Sequence, residues 1–170
     1  MKAAAMIKKK ICLLGAFAVG KTSLIERYVQ SVFSDKYHAT VGVKVDKKEI
    51  RVADQEVTLL IWDVQGEDEI QKINANYLRG SAGFFLVVDG TRRETVEVAL
   101  EIAQRTVDAV GEIPLVVLLN KTDLEDEWEL GADEMEKLSA RGWLIARTSA
   151  KSGLGVEEAF QHLVVKILSS

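Results

Sequence analysis

Ile11-Cys12-Leu13-Leu14-Gly15-Ala16-Phe17-Ala18-Val19-Gly20-Lys21-Thr22-Ser23 is the stretch that decides the fold. An apolar run leads into G-x-x-x-x-G-K-[ST], and helical spacing takes over at Lys21. Strand, glycine-rich loop and helix start is the context in which this motif cradles a polyphosphate. The loop's backbone N–H groups and the positive end of the helix can wrap the phosphates. Gly15 and Gly20 let the backbone bend and approach a ligand without a Cβ. Lys21 can neutralise terminal phosphates, and the Thr22 hydroxyl can ligate magnesium.

Working outward, short apolar runs alternate with helical patterns. Ile11–Leu14, Val57–Trp62, Ala82–Val88, Leu115–Leu119 and Trp143–Thr148 read as strands. Helices are expected near Lys21–Gln30, Glu94–Val110 and Val156–Leu168, and their apolar stripes read as core packing. Val43–Val52 and Val57–Trp62 flank Ala53-Asp54-Gln55-Glu56, which reads as a hairpin turn. The pattern predicts an α/β fold: a mostly parallel sheet with one antiparallel edge strand and helices on both faces. The only proline, Pro114, stands just before a strand. With 170 residues and no linker or repeat, residues 1–170 are expected to form a single domain.

Composition narrows the function classes. The 22 Lys and Arg against 26 Asp and Glu give a net charge of −4, so no basic excess points to nucleic acid or a membrane surface. One cysteine and two histidines exclude a disulfide framework and argue against a zinc or His-based centre. No apolar run reaches the roughly 18 residues of a membrane span. Lys8-Lys9-Lys10 interrupts any signal-like stretch, and Lys2 and the cysteine-free end remove the usual lipidation sites. A cytoplasmic chain without a lipid anchor is the expectation. Cys12 reads as a buried core residue. His38 reads as a solvated loop residue, or else as a partner or phosphate contact.

Two further segments choose the nucleotide. Asn120-Lys121-Thr122-Asp123 and Ser149-Ala150-Lys151 each follow an apolar strand. They therefore fall on the same sheet edge as the phosphate loop, where open α/β sheets bind ligands. The Asp123 carboxylate matches the paired N–H donors of guanine, which adenine lacks. Lys121 and Lys151 can lay their aliphatic stems against the base. Asp63, in Asp63-Val64-Gln65-Gly66, closes another strand and can hold magnesium through water. Gly66 can donate its N–H to a terminal phosphate, or simply punctuate a turn.

In this combination and order the chain resembles the Ras superfamily of small GTPases, most closely its Rab-like members, from about Lys9 to Ile167. The motifs are the phosphate loop, Thr40 within Tyr37-His38-Ala39-Thr40-Val41-Gly42, Trp62-Asp63-Val64-Gln65-Gly66, Asn120 to Asp123, and Ser149-Ala150-Lys151. The resemblance implies a P-loop NTPase fold with a six-stranded sheet in the order 2-3-1-4-5-6, strand 2 antiparallel. It implies GTP or GDP bound with Mg2+. The nucleotide contacts it implies are Gly15, Ala18, Val19, Gly20, Lys21, Thr22, Ser23, Phe33, Tyr37, Thr40, Gly66, Asn120, Lys121, Asp123, Ser149, Ala150 and Lys151. Phe33 would pack edge-on against guanine, and the Ala150 N–H would donate to its O6. Thr22, Thr40 and Asp63 would serve the metal, and Lys21, Thr40, Gln65, Gly66 and Glu67 the reaction. Residues 34–43 and 63–77 would be switches, ordered by the γ-phosphate, through which a monomer meets effector, exchange-factor and activating proteins.

Three departures stand out. The family's catalytic glutamine directly after the D-x-x-G glycine is Glu67 here, with Gln65 two residues earlier. A small residue of the phosphate loop is replaced by Phe17. The prenylated tail is missing, which fits a prokaryotic origin or a shortened chain. Acidic Glu67-Asp68-Glu69 also suits the first turn of a helix. The leading reading is a switch that binds GTP and hydrolyses it slowly. The alternative is a GTP-bound docking module with negligible hydrolysis, motivated by Phe17 and Glu67. A P-loop kinase for a small metabolite leaves Asn120, Asp123 and Ser149-Ala150-Lys151 without a task.

Overall fold

The computed structural model describes residues 6–29, 37–40, 43–64 and 75–170, with the backbone alone at 37–40 and 43. Its strands are β1 (Ile7–Gly15), β2 (Tyr37–Thr40), β3 (Val43–Val52), β4 (Gln55–Val64), β5 (Ser81–Asp89), β6 (Leu115–Asn120) and β7 (Leu144–Arg147). The helices are α1 (Lys21–Val29), α2 (Ala75–Leu78), α3 (Glu94–Val110), α4 (Ala132–Ser139) and α5 (Val156–Leu168). A 3-10 turn covers Glu125–Glu127.

The sheet order is β2-β3-β4-β1-β5-β6-β7. The six strands read from the sequence are present in the expected order, and only β3 among them runs antiparallel to its neighbour β4. The short β2 extends that edge by pairing antiparallel with β3. It lies where the sequence shows no strand pattern, in the segment read as a switch. The hairpin turn is tighter than expected. Val52 pairs with Gln55, so Ala53 and Asp54 alone make the turn, with φ of 51° and 63°. Positive φ at both central residues matches the right-handed twist of the flanking strands.

Alternation along the central strands builds a core on each face. Ile11 and Leu13 point to one side with Phe85, Val87, Val116 and Leu118, under α1 and α5. Tyr28 of α1 stacks on Phe160 of α5 with centroids 3.7 Å apart. Cys12 and Leu14 point to the other side with Leu86, Val88 and Leu119, under α3 and α4. Cys12 is fully buried, and burial pushes its thiol up to about 11, so it is a core residue and an unreactive one. Missing from the sequence reading are α2 and α4. Both are short, and α4 buries only Glu134 and Leu138, too few apolar positions to show a period.

The consequence for the site is positional. The parallel strands β1, β4, β5, β6 and β7 all end on one edge. The register sets Leu13 beside Asp63, Gly15 beside Val87, Asp89 beside Asn120 and Leu119 beside Arg147. Residues as far apart in sequence as Gly15 and Lys151 therefore converge only at that edge, brought there by strand pairing.

Candidate functional site

The phosphate loop leaves β1 at Gly15 and enters α1 at Lys21, where the Leu24 N–H closes the first turn onto the Gly20 carbonyl at 2.9 Å. Both glycines are dictated by the protein itself. Gly15 has φ of 156°, and a Cβ there would stand 2.5 Å from the Val87 carbonyl. Gly20 has φ of 103°, and a Cβ there would run into the Asn120 amide. The loop is thus pressed against β5 and β6 as well as shaped for a ligand.

Every carbonyl from Gly15 to Val19 is held by a side chain. Lys21 Nζ donates to Gly15 O at 3.1 Å and to Ala16 O at 3.0 Å. Arg92 Nη2 donates to Phe17 O at 2.7 Å, Lys121 Nζ to Ala18 O at 3.1 Å, and Asn120 Nδ2 to Val19 O at 2.9 Å. Carbonyls pinned into the protein leave the N–H groups of the loop to face the opposite way, which is the polarity an anion needs. Ala18 sits at φ of 60°, in the left-handed region that lets the chain turn at this point. Lys21 is almost fully buried. Burial lowers its pKa, Asp63 opposes that shift, and Arg92 adds to it.

Thr22 Oγ1 donates to Asp63 Oδ2 at 2.5 Å, joining the start of α1 to the end of β4. Asp63 is buried, and its Oδ1 has no hydrogen-bond partner among the described residues. A buried carboxylate oxygen left bare is costly unless something else satisfies it. A hydroxyl and a carboxylate oxygen at the phosphate loop are the hard donors that magnesium takes, with water and phosphate filling its other positions. Among the described residues no cluster of three or more His, Cys, Asp or Glu could hold a metal alone. The residues present therefore fit a magnesium ion that a bound phosphate helps to hold.

Next to Gly20 opens a cavity of about 620 Å³, bordered by Ser23, Lys121, Asp123, Ala150 and Lys151. Ser149 Oγ donates to Asp123 Oδ1 at 2.7 Å, and the Ser152 N–H donates to Ser149 Oγ at 3.0 Å, so the carboxylate is aimed from behind. Asn120 is buried and spends its amide on protein groups: it donates to Val19 O and accepts from Thr148 Oγ1 at 3.2 Å. It ties the phosphate loop to β6 and to the segment after β7, and so positions the site from below. Val19 likewise packs its side chain into the core and can offer a ligand only its backbone.

Of the expected site residues, Gly15, Ala18, Val19, Gly20, Lys21, Thr22, Ser23, Asp63, Asn120, Lys121, Asp123, Ser149, Ala150 and Lys151 are brought to this one edge. Phe33, Gln65, Gly66 and Glu67 lie outside the described residues, as do the side chains of Tyr37, His38 and Thr40. Phe17 does not enter the core; its ring is 65% exposed at the lip of the loop.

Sequence reading missed Arg27, Asp89 and Arg92. Arg27 of α1 donates through Nε to Ala150 O at 2.8 Å and through Nη2 to Lys151 O, fastening the segment that borders the cavity. Asp89 closes β5 and is fully buried, pairing with Lys121 at 2.8 Å and Arg92 at 2.9 Å. The signal for it was present, since Asp89 ends an apolar run as Asp63 does. Nothing in the spacing marks Arg27 or Arg92.

The sequence is similar to known proteins. A model of the Ras family matches residues 10–169. The chain is 34% identical to Ras-related protein Rab-7b of Bos taurus over 171 residues, covering 94% of this chain and 82% of that protein. It is 32% identical to Ras-related protein Rab-12 of Mus musculus over 165 residues, covering 95% of this chain and 68% of that protein. It is 29% identical to Ras-related protein RABA4b of Arabidopsis thaliana, covering 95% of this chain and 73% of that protein.

Proposed function

Since this chain belongs to the Ras family, as a Rab-like small GTPase that binds and hydrolyses GTP, we propose that its site works as a magnesium-dependent switch with slow intrinsic turnover. The observation that carries this reading is the Thr22–Asp63 pair, whose Asp63 Oδ1 has no partner among the described residues, set beside the phosphate loop on the edge that also bears the Asp123 cavity. That geometry orders three recognition tasks along one edge: metal, phosphates, then base.

The residues act as follows. Asp123, aimed by Ser149, accepts both donors of guanine, and the stems of Lys121 and Lys151 cover the base. Gly15, Ala18, Val19 and Gly20 offer backbone N–H groups to the phosphates, with Ser23 close to the α-phosphate end. Lys21 currently bonds Gly15 O and Ala16 O, and its ammonium turns to the terminal phosphates when they arrive. Thr22, Asp63 and Thr40 would hold magnesium, which would supply charge neutralisation to the phosphates. Phe33 and Tyr37 flank the nucleotide, and the Gly66 N–H meets the γ-phosphate. Gln65 or Glu67 orients the attacking water, whose oxygen bonds to the γ-phosphorus as the bond to the β-phosphate oxygen breaks.

Residues 1–170 act as a single nucleotide-binding domain in the cytoplasm, as a monomer. No helix among the described residues is long and apolar enough to cross a membrane. Segments 34–43 and 63–77 present different surfaces with GTP and GDP, and effector, exchange-factor and activating proteins read that difference. The test is single-turnover hydrolysis of bound GTP with and without magnesium, paired with capture of partners by protein loaded with GDP or a non-hydrolysable GTP analogue. Metal-dependent turnover and state-dependent capture are expected. Metal-independent turnover, or identical partners in both states, contradicts the reading.

A further inference from the structure

Arg92, in the turn between β5 and α3, makes two directed contacts at once. Its Nε donates to Asp89 Oδ2 at 2.9 Å and its Nη2 donates to the Phe17 carbonyl at 2.7 Å. Asp89 is itself fully buried and receives Thr91 N–H at 2.9 Å and Thr91 Oγ1 at 2.7 Å on its other oxygen. We propose that Arg92 is a positioning residue for the nucleotide: braced on Asp89, it turns the Phe17 carbonyl away from the ligand and holds a fixed positive charge beside the phosphates.

Three observations carry this. The first is the left-handed turn at Ala18, which a residue bearing a Cβ adopts only where its surroundings impose it. The carbonyls on either side of the Phe17–Ala18 link are the ones held by Arg92 and Lys121, and both of those cations rest on Asp89. One buried carboxylate thus fixes the only stretch of the loop that bends without glycine. Second, the guanidinium is a planar fork that can serve an acceptor at each end, whereas an ammonium is a point charge. The two acceptors here are reached from different nitrogens, so lysine cannot replace both contacts. Third, the Phe17 carbonyl held by Nη2 belongs to the phosphate loop itself, so the charge of Arg92 sits against the loop that would carry the phosphates.

A plain ion pair bracing the turn before α3 would have none of these consequences for the ligand. The distinction lies in which ligands suffer when Arg92 is changed. GDP reaches the middle of the loop and GMP does not engage it to the same extent, since the loop cradles the α- and β-phosphates together. The inference rests on guanine nucleotides occupying this site.

The experiment measures dissociation of fluorescent GDP and fluorescent GMP from the unmodified protein, Arg92→Ala and Arg92→Lys, each with magnesium present. Arg92→Ala should release GDP about tenfold faster, the scale of one charge-assisted hydrogen bond, with GMP changed by no more than about twofold. Arg92→Lys keeps Asp89 paired and so guards against a folding defect; it should fall between the other two for GDP. Unchanged GDP release from Arg92→Ala overturns the inference. So does equal acceleration of GMP and GDP, or Arg92→Lys releasing GDP at the unmodified rate. Failure of the unmodified protein to hold GDP at all would overturn the guanine-nucleotide reading itself, and this inference with it.

Discussion

The Thr22 hydroxyl and the Asp63 carboxylate meet at 2.5 Å across 41 positions of sequence, and the second oxygen of that carboxylate is buried with no partner among the described residues. Two segments that share no periodicity are joined because β1 and β4 run parallel in a register that places Leu13 beside Asp63. The pairing leaves a hard oxygen donor bare at the mouth of the phosphate loop. If that donor serves magnesium, chelating the metal should speed GDP release at least about tenfold, since ~1.4 kcal/mol of lost charge compensation already gives that factor. In Asp63→Ala the chelator should have much less effect, because the metal is already held poorly. Equal acceleration in both proteins contradicts the assignment, and the readout is fluorescence decay of a GDP analogue.

Acid stability reports on Asp89. Burial alone would raise its carboxyl, but hydrogen bonds from Lys121, Thr91 and Arg92 outweigh that and hold it below the ordinary value of 3.8. The group therefore binds a proton more readily in the unfolded chain than in the folded one. Its contribution is complete above the unfolded value and drains away as pH falls through the lowered native value. Urea unfolding of the unmodified protein and of Asp89→Asn should show their largest gap near neutral pH, narrowing in acid. A gap that stays constant down to strongly acid pH contradicts this account of the carboxylate.

Turnover is expected to be slow, on or below the ~10⁻⁴ s⁻¹ scale of unassisted Ras-like enzymes. An ionised Glu67 can only accept hydrogen bonds and brings negative charge toward an anionic γ-phosphate. Glu67→Gln should therefore raise the single-turnover rate, while Gln65→Ala should change it little. If Gln65→Ala abolishes turnover and Glu67→Gln leaves it unaltered, water is oriented by Gln65. Repeating both at pH 6 and pH 8 adds a control, because only a defect caused by the Glu67 charge should ease in acid.

Much of this site was legible from local pattern. The phosphate loop carries its own context, an apolar strand on one side and helical spacing on the other. Asn120, Asp123 and Ser149 each follow an apolar strand, and parallel topology then sends them to one edge. The roles within the site were less legible. Asn120, implied as a nucleotide contact, is buried and also ties Val19 O to Thr148 Oγ1, a bracing role that no local pattern announces. Gly15 and Gly20 read as room for a ligand, whereas the space a Cβ would fill is taken by Val87 O and the Asn120 amide. Arg27 and Arg92 act through long side chains on backbone carbonyls, and a carbonyl acceptor leaves no trace in residue identity. The strand Tyr37–Thr40 and the helix Ala132–Ser139 escape because each is too short to display a period.

The central claim is that Asp123, aimed by Ser149, makes this a guanine site. The most direct measurement is competition of GTP, XTP and ATP against a fluorescent GDP analogue, in the unmodified protein and in Asp123→Asn. The unmodified protein should prefer GTP strongly over both others. Asp123→Asn should lose about 2–4 kcal/mol of GTP binding as matched, desolvated contacts are left unpaired, and should gain affinity for XTP, whose C2 carbonyl can accept from the new amide. Unchanged GTP affinity in Asp123→Asn, with no gain for XTP, would contradict the claim and place base recognition elsewhere.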